Sequence, residues 1–335
     1  MSLDRQLWRQ FPQVEPQLTA LQDYLLRTVQ LDNQPIHHKI LALLKSGGKL
    51  LRPGYFYLFS TFGNAATPAQ LQAGAAAIEI LHVGTLIHDD VIDDSPTRRG
   101  VRTIQMTYGQ RNAIYAGDFM FTVYFDQVLK STTDRSLIQN HIDAMHRILQ
   151  GELHQMDLNY REDITLDAYL NEIAGKTAEL FALSCYQGAQ LAGAPQSVID
   201  RTRDIGIAIG CAYQMLDDIL DYAGDPKRTQ KPVLEDLRSG VYSLPLLLSL
   251  SHAPRDFHKL LKKKQAMTLE DIKHVQALVA QYDGVGAAKQ LAQDYTDRAL
   301  TLIQQLPVGS AQQSLEQLTR LLLRRDHEGH HHHHH

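Results

Sequence analysis

Asp89, Asp90 and Asp93 stand at positions i, i+1 and i+4, and Asp217, Asp218 and Asp221 repeat that spacing in the second half of the chain. On a helix, residues four apart share a face. Each triplet therefore presents its first and last carboxylates together, with the middle one close beside them. Asp94 adds a fourth carboxylate to the first group. Hard oxygen donors of this kind suit magnesium, which takes one or two carboxylates and completes its shell with water and phosphate oxygens. Taken alone, the first group reads equally well as a solvated acidic helix end. The second lies in a strongly apolar stretch, Ile205 to Leu220, where carboxylates without cations are costly. Gln214 and Asp225 extend its face. Two matching triplets on central helices read as facing walls of one metal-filled cavity that binds a diphosphate.

Basic residues accompany both triplets. Lys49 and Arg52 follow the pair Gly47-Gly48, and Arg98-Arg99-Gly100 follows the first triplet. Lys176-Thr177 lies in a helical stretch, and Lys227, Arg228 and Lys231 follow the second triplet. Arginine forks grip diphosphate oxygens and lysine adds a point charge. Singly, each reads as a solvated surface group; together they form an anion site beside a metal site. His82, seven residues before Asp89, lies on the same helical face and could donate to a diphosphate, or be a plain core histidine. His88 could orient the neighbouring carboxylate.

Helices must position these groups. Apolar residues recur at spacings of three and four, as in Leu18, Leu21, Leu25 and Val29, and in Leu71, Ala75, Ile78, Leu81 and Leu86. Long helical stretches are predicted at about 111–130, 134–159, 166–191, 196–223, 240–251, 268–281 and 284–326. Alternating β-branched runs and hairpin signals are nearly absent. Gly47-Gly48, Pro53-Gly54, Pro96, Gly100, Pro195, Pro226, Pro232 and Pro254 read as breaks. The expectation is an all-α fold: a single-domain bundle of ten or more helices around a central cavity, spanning residues 1–327. Glu328 to His335 reads as an expression tag.

The chain of 335 residues is 44% hydrophobic with a net charge of −4. The missing basic excess argues against a nucleic-acid partner. Cys185 and Cys211 lack metal or disulfide spacing, which fits a reduced, cytoplasmic setting. No apolar run approaches a transmembrane length, so membrane contact is peripheral at most. The basic run from His258 to Lys264 could touch an anionic surface or be a solvated loop.

These residues resemble the trans-isoprenyl diphosphate synthases, the polyprenyl synthetase family. The likeness runs from about residue 37 to about 325. It rests on Gly-Gly-Lys-Leu-Leu-Arg (47–52), His-Asp-Asp-Val-Ile-Asp-Asp (88–94), Arg-Arg-Gly (98–100), Ala-Gly-Asp (116–118), Gly-Lys-Thr (175–177), Tyr-Gln-Met-Leu-Asp-Asp-Ile-Leu-Asp (213–221) and Gly-Asp-Pro (224–226). The resemblance implies the isoprenoid synthase fold and an Mg²⁺-dependent, head-to-tail condensation of isopentenyl diphosphate with an allylic diphosphate, three ions being held with substrate. It implies metal ligands at Asp89, Asp90 or Asp93, and Asp217, with Asp218 and Asp221 acting partly through water. The allylic diphosphate would meet Arg98, Lys176 and Lys231. Isopentenyl diphosphate would meet Lys49, Arg52, His82 and Arg99. Thr177 and Gln214 would turn oxygen dipoles towards the allylic cation. The family usually carries Gly-Lys-Pro-x-Gly at the third basic site. Here Gln230-Lys231-Pro232-Val233-Leu234 replaces both glycines, which weakens the role of Lys231.

In this family, chain length depends on bulk below the first aspartate motif. Gly84 and Thr85 are small and Leu81 and Ile78 moderate. That predicts a hexaprenyl-to-octaprenyl product for quinone side chains, with farnesyl or geranylgeranyl diphosphate as the alternative. Phe121, Tyr124 and Phe125 could form a floor or be ordinary core. The chain looks most like the large catalytic component of bacterial hexaprenyl or heptaprenyl synthases. Its expected partner is a second copy or a small regulatory subunit. A non-catalytic subunit that binds prenyl diphosphate is the remaining alternative, though both aspartate motifs are intact.

Overall fold

The structure, a computed structural model, describes residues 4–45 and 49–324. The pair Gly47-Gly48, the tail 328–335 and the side chains of Lys227 and Arg228 lie outside the described residues. Helices α1 (Arg5–Trp8), α2 (Glu15–Thr28), α3 (Gln34–Lys45) and α4 (Leu51–Ser60) lead into the long α5 (Pro68–Ile92). Then come α6 (Ile104–Tyr108), α7 (Gln110–Ser131), α8 (Arg135–Leu158), α9 (Leu166–Ile173), α10 (Glu179–Leu191) and α11 (Gln196–Ala223). The chain closes with α12 (Pro226–Ser239), α13 (Leu244–Leu250), α14 (Pro254–Leu261), α15 (Leu269–Gln281), α16 (Gly284–Gln304) and α17 (Ser310–Leu323). The expected all-α bundle of more than ten helices is observed.

Helices α5 and α11 carry the two aspartate triplets and run through the middle of the core. Pro68 opens α5, where its missing N–H costs nothing, and Thr67 and Gln70 form a reciprocal capping box. From Ala73 to Gly84 every residue of α5 is buried. Small side chains let neighbours approach on all sides, and α5 packs most extensively on α7. On α11, Gly206 and Gly210 sit one turn apart against Ala182 and Ala178. A Cβ on either glycine would fall 2.4 Å from the facing alanine Cα. The two backbones therefore touch along a seam of small residues.

Three local expectations change. The stretch 166–191 is helical throughout, but a π-turn at Ala174–Ala178 joins α9 to α10. The expected helix at 240–251 shortens to Leu244–Leu250, because Gly240 turns at φ +83°. Pro226 and Pro232, read as breaks, both lie in α12. Pro226 takes the first position. Pro232 removes one interior hydrogen bond, at a cost of about 3 kcal/mol. Burial of Val233, Leu234 and Leu237 in a satellite core offsets that cost. The few strand residues are a minimal hairpin, Thr97–Arg98 against Val101–Arg102.

Candidate active site

Helix α5 ends at Ile92. Asp89 and Asp90 are helical, while Asp93 caps the end in helical geometry, its N–H donating to Asp89 O at 2.8 Å. Asp93, Asp218 and Asp221 line one cavity of about 330 Å³, together with Lys176, Thr177 and Gln214. One carboxylate of the first triplet and two of the second thus line the same cavity.

The hairpin after α5 sorts the paired arginines. Arg99 (φ +52°) and Gly100 (φ +74°) hold the turn in the left-handed region. Arg98 folds back on Asp90, its Nη2 donating at 2.6 Å and its Nε at 3.1 Å. Arg99 points the other way, donating to Leu43 O at 2.7 Å and lying 3.8 Å from Glu79. One arginine serves the aspartate side. The other joins a buried basic pocket with Arg52 and His82, whose Nη1 and Nε2 are 3.4 Å apart.

That second pocket holds surplus positive charge. Arg52 lies over the Phe181 ring at 4.6 Å, and its buried Nε has no hydrogen-bond partner among the described residues. Burial pushes the Arg52 and Arg99 pKa values down, and it pushes that of Glu79 up against the pull of both arginines. Two guanidiniums to one carboxylate leave room for an anion. Lys49, at the entry to α4, anchors its carbonyl to the Trp8 indole N–H at 2.7 Å.

Around the cavity itself the imbalance is reversed. Burial, with neighbouring carboxylates, raises Asp221 to about 8, Asp236 to about 7 and Glu152 to about 8. Burial raises Asp218 to about 6, held back by its hydrogen bonds. Burial would lower the Lys176 pKa, but Asp89, Glu152, Asp93 and Glu172 together outweigh it and hold it up. So many carboxyl groups around one ammonium fit a site that takes further cations. Among the described residues no three of them already converge on a metal position. This donor set suits Mg²⁺ that shares its shell with a diphosphate.

The π-turn swings Lys176 and Thr177 together into the cavity, a use such turns often have. Lys176 Nζ donates to Gln155 Oε1 at 2.5 Å. Thr177 Oγ1 donates to Gln214 Oε1 at 2.9 Å, and Gln214 Nε2 donates to Asp218 Oδ1 at 2.9 Å. Asp218 also accepts from Tyr169 Oη at 2.6 Å and from the Leu244 N–H at 3.2 Å. These three hydrogen bonds fix the orientation of a carboxylate that also lines the cavity.

Other expectations are redirected. His88 turns away from the carboxylates and contacts Ile114 O at 3.0 Å and Asp118 at 3.2 Å on α7. Lys231 is exposed on α12 and is not among the cavity-lining residues. The basic run is tied down within the chain, with His258 on Glu162, Lys263 on Asp271 and Lys264 over the Tyr160 ring. The space expected beside Gly84 is filled, since a Cβ there would lie 2.9 Å from the Phe121 ring and 3.2 Å from Met120 Cβ. Leu81 and Ile78 are sealed in the core, and the Thr85 hydroxyl donates to His82 O at 2.7 Å. Tyr124 is buried against His141, whereas Phe125 is exposed and is no floor. Glu79, Glu152, Gln155, Tyr169 and Asp236 were not anticipated. Only Glu79 carried a signal, as a lone carboxylate in the apolar run Ala73–Leu81.

An all-helical fold with two aspartate triplets and two clusters of basic residues defines a prenyltransferase of the diphosphate-condensing class. A model of the family described as polyprenyl synthetase matches residues 33–282, and the chain belongs to that family, whose members are Mg²⁺-dependent trans-prenyltransferases. A solved geranylgeranyl pyrophosphate synthase from Lactobacillus brevis ATCC 367 is 96% identical, covering 96% of this chain and 100% of that one, with a TM-score of 0.90. Component 2 of the heptaprenyl diphosphate synthase of Geobacillus stearothermophilus is 33% identical over 310 residues, 92% of this chain and 96% of that one. A heptaprenyl diphosphate synthase structure from Staphylococcus aureus is 30% identical, covering 93% of this chain and 98% of that one, with a TM-score of 0.87. No helix of the described residues is long and apolar enough to cross a membrane.

Proposed function

We propose that the chain adds isopentenyl diphosphate to an allylic diphosphate and stops at about twenty carbons, as a geranylgeranyl diphosphate synthase does. The observation that carries the product length is the Phe121 ring packed against Gly84, one turn below Asp89. The 96% identity to a geranylgeranyl pyrophosphate synthase supports the same reading. A hexaprenyl-to-octaprenyl product is the second reading, favoured by the likeness to the Geobacillus component.

In this reading Asp89, Asp93, Asp217 and Asp221 hold Mg²⁺, three ions with substrate bound, while Asp90 and Asp218 complete the two walls. The metal, when bound, supplies positive charge to the departing diphosphate. Lys176 and Arg98 bind the allylic diphosphate and stabilise the charge it gains on leaving. Arg52, Arg99, His82 and Lys49 hold isopentenyl diphosphate in the opposite pocket. The Thr177 and Gln214 oxygens face the developing cation, which the surrounding apolar walls keep from water. Lys231 joins only if α12 moves inward.

Exposed Met106, Tyr108, Ile114, Tyr115, Phe125 and Leu129 on α6 and α7 support a protein partner. We propose a second copy, with a smaller subunit as the alternative, acting in the cytoplasm as one domain of residues 1–327. The test is to incubate the purified chain alone with Mg²⁺, farnesyl diphosphate and labelled isopentenyl diphosphate, and to size both products and assembly. A twenty-carbon product from a dimer is expected, and Asp217→Ala abolishes it. A silent chain rescued by a small subunit would refute the proposal.

A further inference from the structure

The π-turn Ala174–Ala178 presents Lys176, and a π-turn is a local departure from regular helix that its surroundings must hold. Three contacts with α8 line up along that boundary. At the cavity end, Gln155 accepts from the Lys176 ammonium and Glu152 lies 3.6 Å from it. Next, Gly151 meets Gly175. A Cβ on Gly151 would lie 3.4 Å from the Gly175 carbonyl carbon, so the two backbones are in contact. One turn back along α8, Arg147 Nε donates to Glu179 Oε1 at 2.8 Å. Glu179 stands three residues after Lys176, at the first position of α10.

Glu179 is 2% exposed at its side chain and also receives a fork from Arg203 of α11, at 3.0 Å to each oxygen. The same carboxylate thus ties the helix behind the π-turn to α8 through Arg147 and to α11 through Arg203. Neither guanidinium lines the cavity that holds the aspartates. Only the Arg147 arm spans the boundary across which Lys176 finds Gln155 and Glu152.

We propose that the Arg147–Glu179 pair is a positioning device that fixes the register of α8 against the π-turn and so sets where the Lys176 ammonium stands. The proposal rests on Lys176 binding the allylic diphosphate. Breaking a buried pair by removing the carboxylate destabilises a fold, so the test removes one arginine at a time. Each single variant leaves Glu179 paired with the other arginine.

Arg147→Met, Arg203→Met and Lys176→Met are compared with the parent for KM of each substrate, kcat and melting temperature. A misplaced positioning group can cost up to about a hundredfold, and a partial shift is expected here, so Arg147→Met raises the allylic KM by roughly tenfold. Its isopentenyl diphosphate KM stays within about twofold, and Arg147→Lys recovers most of the loss. Arg203→Met lowers the melting temperature as much but leaves the allylic KM unchanged. In a Lys176→Met background, Arg147→Met adds nothing, since both act through one group. Equal effects of the two arginine variants on the allylic KM, or additivity with Lys176→Met, overturn the proposal. A Lys176→Met chain with the parent's allylic KM overturns the reading of Lys176, and the positioning role falls with it.

Discussion

Truncating Phe121 is the most direct probe of product length. Its ring edge comes within 2.9 Å of where a Cβ on Gly84 would stand, and Met120 closes the gap beside it. Phe121→Ala removes six ring carbons, slightly more than the five of one isoprenyl unit. Burying a further five-carbon unit is worth about 4 kcal/mol at about 0.8 kcal/mol per carbon. A chain that now stops at the ring therefore has a strong drive to grow by one unit once the ring is gone. The stability cost of about 3–5 kcal/mol for a fully buried phenylalanine falls to about 2 kcal/mol for this half-buried one. The assay is thin-layer chromatography of the dephosphorylated products after limiting and excess isopentenyl diphosphate. A main product one unit longer than the parent's is expected. The parent product at unchanged yield would show that growth does not pass between Gly84 and Phe121.

Four further outcomes are expected. Gly84→Phe, placed where the ring already crowds, shortens the product or abolishes elongation, read in the same assay. Gly206→Ala drives a methyl into the Ala182 backbone and lowers stability by about 1–3 kcal/mol, measured by urea unfolding. Tyr169→Phe leaves Asp218 without its 2.6 Å donor and costs about 1–3 kcal/mol in the same measurement. Without metal, the native Asp221 carboxyl holds its proton up to about 8, whereas an unfolded aspartate loses it near about 3.9. The native state binds more protons across that window, so the metal-free chain loses thermal stability as pH rises from about 5 to about 8. Mg²⁺ with inorganic diphosphate flattens the profile, and a metal-free melting temperature that climbs over that range contradicts the assignment.

The helical bundle and the placing of both triplets on central helices were legible because both follow from periodicity, and a run as apolar as Ile205–Leu220 leaves a carboxylate few uses. The hairpin was not, because two-residue strands carry no alternation. Positive φ at Arg99 and Gly100 nonetheless decides that adjacent arginines serve opposite pockets. Pro232 misled as a break because the burial that carries α12 past it comes from α14 and α15. The emptiness read beside Gly84 was a property of one helix alone, while the Phe121 ring that fills it belongs to another. The hydrogen bonds that orient Asp218 were not legible, because Tyr169 and Leu244 reach it from distant segments.

The glycine–alanine seam between α10 and α11 bears on how such an enzyme can diversify. Thr177 and Gln214 are held opposite each other by backbones in contact, with no side-chain rotamer between them to relax. That end of the cavity tolerates almost no variation. The Phe121 ring rests on Gly84 between α5 and α7, where one substitution changes volume without disturbing the seam. The molecule is thus divided into a part that inheritance must copy faithfully and a part that it can revise, and on the proposed reading product size drifts in the second while the chemistry held by the first stays as it was.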